Sequence, residues 1–183
     1  MPAPPDRKRE RRAPKPLDEA RLRDLALAYV ARFATSSGKL ERYLARKLRE
    51  RGWDGAGEAS PRALVERFVE LGYLDDEAYA SARAGALVRR GYGARRIGAD
   101  LAQAGIDEPM RERAGPSAAE ARGAALALAR KRRLGPFGPP VDAAGRDKQI
   151  AKLLRAGHPF DFARAVVDAR DEAAAEEWAA SWD

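Results

Sequence analysis

Arginines crowd the middle of this sequence, on both sides of the element Gly91-Tyr92-Gly93. The arginines of this central set are Arg83, Arg89, Arg90, Arg95 and Arg96. A guanidinium group presents a planar fork of hydrogen-bond donors that fits carboxylates and phosphates alike. If two helices meet at the Gly-Tyr-Gly element, several of these forks come together and bind an anionic partner. A solvated helix face is the alternative explanation for the same spacing.

Two further basic sets lie on either side of the central one. The earlier set includes Arg46 and Lys47, and the later set includes Arg130, Lys131 and Arg132. The whole chain carries a formal net charge of +7 and has an isoelectric point near 10.0. This balance favours an acidic or nucleic-acid partner, although a GC-rich coding sequence also enriches alanine and arginine. The basic residues of the three sets are therefore the candidate contacts with a protein or DNA partner.

Other kinds of chemistry find little support in the residue types. The sequence has no cysteine, which excludes disulfides, thiolate metal sites and a cysteine nucleophile. Its single histidine, His158, has no nucleophile pattern nearby, and capping or packing explains its position. Gly91-Tyr92-Gly93 lacks the further glycine and the preceding strand of a dinucleotide-binding loop. We expect no catalytic residue, no cofactor and no metal site.

The start of the chain combines prolines with lysines and arginines and has almost no apolar residues. Residues 1–16, MPAPPDRKRERRAPKP, are therefore predicted to form a disordered basic tail. No apolar run approaches the roughly 18 residues that a membrane span needs, and none follows the basic start as in a signal peptide. We expect a cytoplasmic protein with no membrane contact.

The elements that must position the basic residues are helices. Apolar residues recur at spacings of three and four from Leu22 to Phe33 and again from Leu40 to Leu48. Helix starts are indicated by Ser60-Pro61 and by Asp75 or Asp76, and Ser117-x-x-Glu120 has the spacing of a capping box. No segment has the alternation of a strand, so the predicted fold class is all-α.

A repeated motif divides these helices into groups. Leu48-x-x-x-Gly52, Leu101-x-x-x-Gly105 and Leu153-x-x-x-Gly157 share one internal spacing, and their glycines lie 53 and 52 residues apart. Such a period, with one supersecondary unit in each repeat, predicts an elongated tandem array of three-helix repeats. The predicted modules are residues 17–72, 73–115 and 116–170, followed by an Ala/Glu-rich C-terminal tail, residues 171–183.

The central module resembles a known family. Residues 70–107, ELGYLDDEAYASARAGALVRRGYGARRIGADLAQAGID, resemble the core signature of the RecX family, the bacterial regulators of the RecA recombinase. The matching residues are Gly72, Tyr73, Leu74, Asp75, Asp76, Tyr79, Ala80, Arg83, Arg90, Gly91, Tyr92, Gly93, Ile97, Leu101, Gly105 and Ile106. Two positions depart mildly from the pattern, because Ala94 replaces a frequent proline and Asp100 replaces a glutamate.

The resemblance implies a role in DNA repair without covalent chemistry. A RecX protein is expected to bind along the groove of the RecA–DNA filament, as a monomer, and to limit the activity of the filament. Contact with DNA alone is expected to be weak, non-specific and made to phosphates. The expected partner contacts are Arg83, Arg90, Arg95 and Arg96, and the expected packing residues are Tyr73, Leu74, Tyr79, Ile97 and Leu101. The alternatives are an independent, non-specific DNA-binding helical protein and a purely structural adaptor.

Overall fold

A computed structural model describes residues 15–181, and the fold over that range is all-α, as predicted. The helices are α1 (Glu19–Arg32), α2 (Ser37–Arg51), α3 (Pro61–Glu70), α4 (Asp76–Arg89), α5 (Ala94–Gln103), α6 (Glu108–Ala114), α7 (Ala118–Arg132), α8 (Ala143–Arg155), α9 (Phe160–Val167) and α10 (Glu172–Ala180). Within the described range the only β contact is an isolated bridge between Leu17 and Trp53. Residues 1–14 of the predicted basic tail lie outside the described residues.

Short polar signals set where several helices begin, as the sequence indicates. The Ser60 hydroxyl accepts the Ala63 N–H at 3.2 Å, and Pro61 is the first residue of α3. Asp75, and not Asp76, caps α4 by accepting the Ala78 N–H at 2.8 Å. Ser117 and Glu120 form the predicted capping box at the start of α7. Each cap satisfies backbone donors that have no partner inside the helix.

Within the described residues, three hydrophobic clusters form the interior, one for each group of consecutive helices. Their buried side chains include Leu40, Leu44 and Phe68 in α1–α3, Leu87, Ile97 and Leu101 in α4–α6, and Leu128, Leu153 and Val166 in α7–α9. Leu74, although it precedes α4, is buried in the first cluster. Because each group has its own cluster, the chain is built as three-helix repeats.

The C-terminal segment, predicted only as an Ala/Glu-rich tail, contains a helix. Residues 172–180 form α10, whose start is capped by Asp171 and whose Ala175 is fully buried. The Trp178 ring meets the Phe162 ring edge-on at 5.3 Å and packs against the third cluster. The alanine-rich sequence hid this contact because small residues give little apolar periodicity. Trp182 lies outside the described residues.

The glycines of the Leu-x-x-x-Gly motif end the second helix of each module. Gly52, Gly105 and Gly157 follow α2, α5 and α8, with φ values of 79°, 84° and 95°. This left-handed backbone favours glycine because a Cβ atom would clash there. The motif therefore marks the same structural position three times.

The start of the second helix in one module lies on the end of the second helix in the following module. At the first junction the Ser36 hydroxyl, which caps α2, donates to the Ala104 carbonyl at 2.6 Å, beside the end of α5. At the second junction the Gly93 N–H, at the start of α5, donates to the Ala156 carbonyl at 3.0 Å, beside the end of α8. Backbone groups left free at a helix end thus find partners in the neighbouring module. We call these the end-to-end contacts.

Candidate partner-binding surface

The central arginines do not form one uniform patch. Arg83 lies on α4 and donates from Nε and Nη2 to the two carboxylate oxygens of Asp100 on α5, each at 2.7 Å. This bidentate pair fills the guanidinium fork inside the second module. The hydrogen bonds from Arg83 are the main cause that lowers the pKa of Asp100, and the same bonds raise the pKa of Arg83. The geometry therefore favours a structural role for Arg83, which links α4 to α5, over a role in contacting a partner.

The other four central arginines differ in their surroundings. Arg95 donates to the Leu154 carbonyl at 2.7 Å, which ties α5 to the third module. The guanidinium groups of Arg90 and Arg96 stand 5.4 and 5.5 Å from the centre of the Tyr92 ring. Arg89 is exposed in the last turn of α4. Of these four, Arg90 lines a concave surface between the second and third modules.

That concave surface, the basic groove, lies between the second and third modules and has a volume of about 550 Å³. Its cationic side chains are Arg90, Lys131, Arg132, Lys152 and Arg155. Leu128, Leu134, Ala156 and Tyr92 also line it. None of its lining residues is a carboxylate. Two of the three predicted basic sets therefore meet here, although they are distant in sequence.

Three helix ends position these cations. Arg90 follows α4, Lys131 and Arg132 lie in the last turn of α7, and Lys152 and Arg155 lie in the last turn of α8. Positive side chains at helix C-termini are favourable in themselves, because each end carries roughly half a negative charge. Five full positive charges nevertheless exceed three such partial charges, so the groove attracts anions.

The cations of the basic groove form no ion pairs in the described part of the chain. Among residues 15–181, none of their five side chains forms an ion pair or a hydrogen bond with another described residue. Five unpaired cations around one concavity repel each other, and an anion placed among them relieves that repulsion. The arrangement suits a phosphate-rich or carboxylate-rich ligand.

Lys152 and Arg155 were missing from the sequence-based candidates. A signal for Lys152 was present, because it precedes Leu153 in the repeated motif as Lys47 precedes Leu48. Arg155 has no such counterpart, because Glu50 occupies its position in the first module and Gln103 in the second. Only the packing of α7 against α8 brings Lys152 and Arg155 to the other cations.

The remaining basic candidates lie outside the groove and have partners of their own. Lys47 donates to Glu50 at 2.6 Å, which lowers the pKa of that carboxyl group, and Arg46 lies 3.5 Å from Glu50. Arg130 pairs with Glu176 on α10 and stands over the Phe137 ring. These pairs are solvent-exposed, so a partner could still compete for the cations.

The residues of the recognised signature hold the modules together. The Asp76 carboxylate accepts the Ser37 N–H at 2.8 Å, and the Tyr79 hydroxyl accepts a hydrogen bond from Lys39. Both contacts join the second module to the first. Tyr79 is half-buried, and Ile97 and Leu101 are fully buried. Tyr73, predicted to pack, is 53% exposed and touches Phe68 with one side of its ring.

The signature glycines fall where space or backbone angle requires them. Gly91 has a φ of 82° and lies against Leu128 of α7, and its carbonyl oxygen accepts a hydrogen bond from His158 Nε2 at 3.0 Å. His158 is buried, and burial lowers its pKa below the ordinary value of 6.5. Gly72 has a φ of 73° with open space around it, so only its backbone angle favours glycine. The glycines around Tyr92 thus form a close joint between modules.

Two classes of function receive no support from the described part of the chain. Over residues 15–181, no group of histidine, aspartate and glutamate side chains is arranged to hold a metal ion. Within the same range, no helix has the length and apolar character needed to cross a membrane.

Comparisons with known proteins agree with the architecture. A family model described as "RecX, second three-helix domain" matches residues 75–114, which run from the N-cap of α4 to the end of α6. The solved RecX structure from Lactobacillus salivarius superposes with a TM-score of 0.63, covering 79% of this chain and 90% of that chain. At 19% sequence identity this likeness concerns the fold alone.

Relatives in sequence cover nearly the whole chain. The regulatory protein RecX of Myxococcus xanthus (strain DK1622) is 34% identical over 176 residues, which are 90% of this chain and 94% of that protein. The regulatory protein RecX of Halorhodospira halophila (strain DSM 244 / SL1) is 35% identical over 156 residues, which are 82% of this chain and 89% of that protein. The chain therefore belongs to the RecX family.

Proposed function

We propose that this protein is a cytoplasmic regulator, mainly an inhibitor, of the RecA recombinase, and that it binds the RecA–DNA filament. The observation that carries the proposal is the basic groove, where five cations that form no ion pair with a described residue line one concavity. The relatives are named as regulatory proteins, which agrees with a protein that acts by binding. In this proposal the basic groove contacts the phosphates of the DNA within the filament.

The proposed mechanism requires no covalent step. A binding protein changes the rate of another protein's reaction only if it binds one state of that protein more tightly than another. An array of three modules offers separate contact points that can span neighbouring subunits of a filament. Stabilising one filament state would lower RecA's ATP hydrolysis and strand exchange, and occupying the filament groove would block its co-protease substrates.

A second candidate is an independent, non-specific DNA-binding protein. The absence of carboxylates from the lining of the basic groove favours this reading as well, because phosphate contacts need no particular base sequence. The two candidates differ in their response to salt. Binding to DNA alone weakens steeply as salt rises, whereas apolar contacts with a protein partner are not screened by salt. Filament binding that survives at moderate salt would thus separate a RecA regulator from a general DNA binder.

The experiment measures RecA's DNA-dependent ATP hydrolysis and strand exchange as this protein is added. Beside the natural chain we would use a variant with Arg90, Lys131, Lys152 and Arg155 changed to alanine. A matched control replaces exposed cations outside the basic groove, namely Arg23, Arg49, Arg113 and Lys148, and so loses the same charge. We expect inhibition at substoichiometric protein, loss of inhibition in the groove variant, and retention in the control. RecA rates that do not respond to the natural chain would contradict the proposal.

A further inference from the structure

A second concave surface lies at the other junction, between the first and second modules. It has a volume of about 690 Å³ and runs between the end of α1 and the side of α4. We call it the apolar groove, and its walls include Val30, Phe33, Tyr73, Ala78 and Ala82. Phe33 and Tyr73 are each 53% exposed, although both are large aromatic residues. Two half-exposed rings that line the same concavity are typical of a protein-binding surface.

The sequence of α4 leaves this groove open. Ala78, Ala82 and Ala86 recur every four residues and so lie on one face of the helix, along the groove. A longer side chain on that face would fill the space between α4 and α1. Exposed Phe33 and Tyr73 keep apolar surface in water, which is unfavourable by roughly 25 cal/mol per Å². A partner that covers the two rings would remove that cost.

The charges around the apolar groove indicate the character of the occupant. Arg32 forms no ion pair with a described residue, and its guanidinium lies 5.9 Å from the centre of the Phe33 ring. Lys39 also lines the groove and stands 5.0 Å from the centre of the Tyr79 ring. The one carboxylate in the lining, Asp75, accepts the Ala78 N–H at the start of α4. A third cation in the lining, Arg83, is paired with Asp100. An apolar centre with a positive rim is complementary to an apolar side chain flanked by carboxylates.

We infer that the apolar groove docks an apolar side chain of an acidic segment on the partner protein. The inference rests on the proposed function, in which that protein is RecA in its filament. It assigns different ligands to the two junctions: protein binds at the first junction, and the nucleic-acid backbone binds at the second. Contact with the filament then requires both grooves, whereas contact with DNA alone requires only the basic groove.

The first test blocks the groove by the substitution Ala82→Arg. Ala82 is exposed in the middle of α4, and arginine is a good helix former, so the substitution is compatible with the helix. The matched control is Ala102→Arg at an exposed position of α5 outside the groove. For each protein we would measure binding to RecA filaments on single-stranded DNA, and binding to the same DNA without RecA. We expect Ala82→Arg to weaken filament binding at least tenfold and to leave binding to DNA unchanged.

The second test reverses the charge of the rim. Arg32→Glu lies beside the groove, and its control Arg23→Glu lies at an exposed position of the same helix outside the groove. The two variants have equal net charge, so general electrostatic effects on DNA binding are the same for both. We expect only Arg32→Glu to weaken filament binding strongly.

The outcomes separate this inference from the proposed function. If the natural chain binds filaments, and Ala82→Arg and Arg32→Glu bind them as tightly as their controls do, the inference is wrong and the proposed function stands. If Ala82→Arg and Arg32→Glu weaken binding to DNA alone as much as they weaken binding to filaments, the apolar groove binds nucleic acid and the inference is likewise wrong. If the natural chain binds DNA but does not distinguish it from a filament, the proposed function and the inference fail together.

Discussion

Gly93 lies so close to Gly157 that a Cβ atom on Gly93 would stand less than 3.0 Å from the Gly157 carbonyl group. The contact joins the start of α5 to the end of α8, where the Arg95 N–H also donates to the Gly157 carbonyl at 3.3 Å. The second junction therefore depends on the absence of side chains at two positions that are distant in sequence. Backbone packed on backbone cannot yield as a flexible side chain can.

Replacing Gly93 by alanine should separate the second and third modules. We expect the free energy of unfolding to fall by about 1–3 kcal/mol, because an added methyl group overpacks a close contact. The measurement is chemical denaturation followed by circular dichroism. The control is Gly98→Ala in α5, where no atom lies within 4 Å of the added methyl group. There alanine should stabilise the helix by about 0.5–1 kcal/mol, and equal destabilisation by both substitutions would contradict the role of the contact.

His158 should make the second junction sensitive to mild acid. The histidine is buried, its Nε2 donates to the Gly91 carbonyl, and its Nδ1 has no hydrogen-bond partner within the described chain. Burial lowers the pKa of His158, so the folded protein keeps the ring neutral while the unfolded chain takes up a proton below pH 6.5. Folding stability should therefore decrease as the pH falls from 7.5 to 5.5.

That pH effect can be isolated by comparing the natural chain with His158→Gln, which does not titrate. The difference in unfolding free energy between pH 7.5 and 5.5 should be smaller in the variant. The chosen range lies above the ordinary carboxyl pKa values, so aspartate and glutamate contribute little to the change. An NMR titration that gave His158 a pKa at or above 6.5 would refute this prediction.

Arg83 and Asp100 should contribute to stability more than to binding. Their pair is partly exposed, with 38% and 23% of the side chains accessible, so we expect a coupling energy of about 0.5–1 kcal/mol. A double-mutant cycle with Arg83→Ala and Asp100→Ala measures it. The contribution is present above the ordinary pKa of 3.8 and is lost in stronger acid, because pairing lowers the pKa of Asp100. In the RecA assays Arg83→Ala should have a smaller effect than Arg90→Ala; the reverse order would show that Arg83 contacts the partner.

The cations of the basic groove should each change the salt dependence of DNA binding. Every phosphate contact contributes about 0.9 to the slope of log affinity against log salt concentration on duplex DNA. Single alanine substitutions of Lys131, Lys152 and Arg155 should each reduce the slope by about that amount. The exposed Arg23 on α1 serves as the control and should leave the slope unchanged. Equal salt-dependence slopes in all four variants would show that the phosphates bind outside the basic groove.

The sequence predicted local features of the fold well and long-range contacts poorly. Caps such as Ser60 and the glycine of Leu101-x-x-x-Gly105 depend on neighbours within a few residues, and the structure confirms both. The α10 helix went unrecognised because it becomes stable only through contacts such as Trp178 with Phe162. A short helix gains most of its stability from packing and not from its own sequence.

In the candidate site, too, the sequence indicated individual residues but not the contacts between distant ones. The sequence singled out Arg90, Lys131 and Arg132 as basic candidates, but no periodicity relates them to each other, and the structure brings them to one groove. Their convergence with Arg155 follows from the angle at which α7, α8 and α4 pack, which sequence spacing does not determine. For the same reason the sequence could not show that Asp100 neutralises Arg83 across two helices.

The end-to-end contacts give the molecule a direction. At both junctions the start of the second helix of one module rests on the end of the second helix of the following module, and never the reverse. The array of second helices therefore has two different ends. It begins at α8 and ends at α2. A recombinase filament and a nucleic-acid strand also have two different ends. An array with two different ends that binds along either can keep its repeated contacts in register in only one orientation.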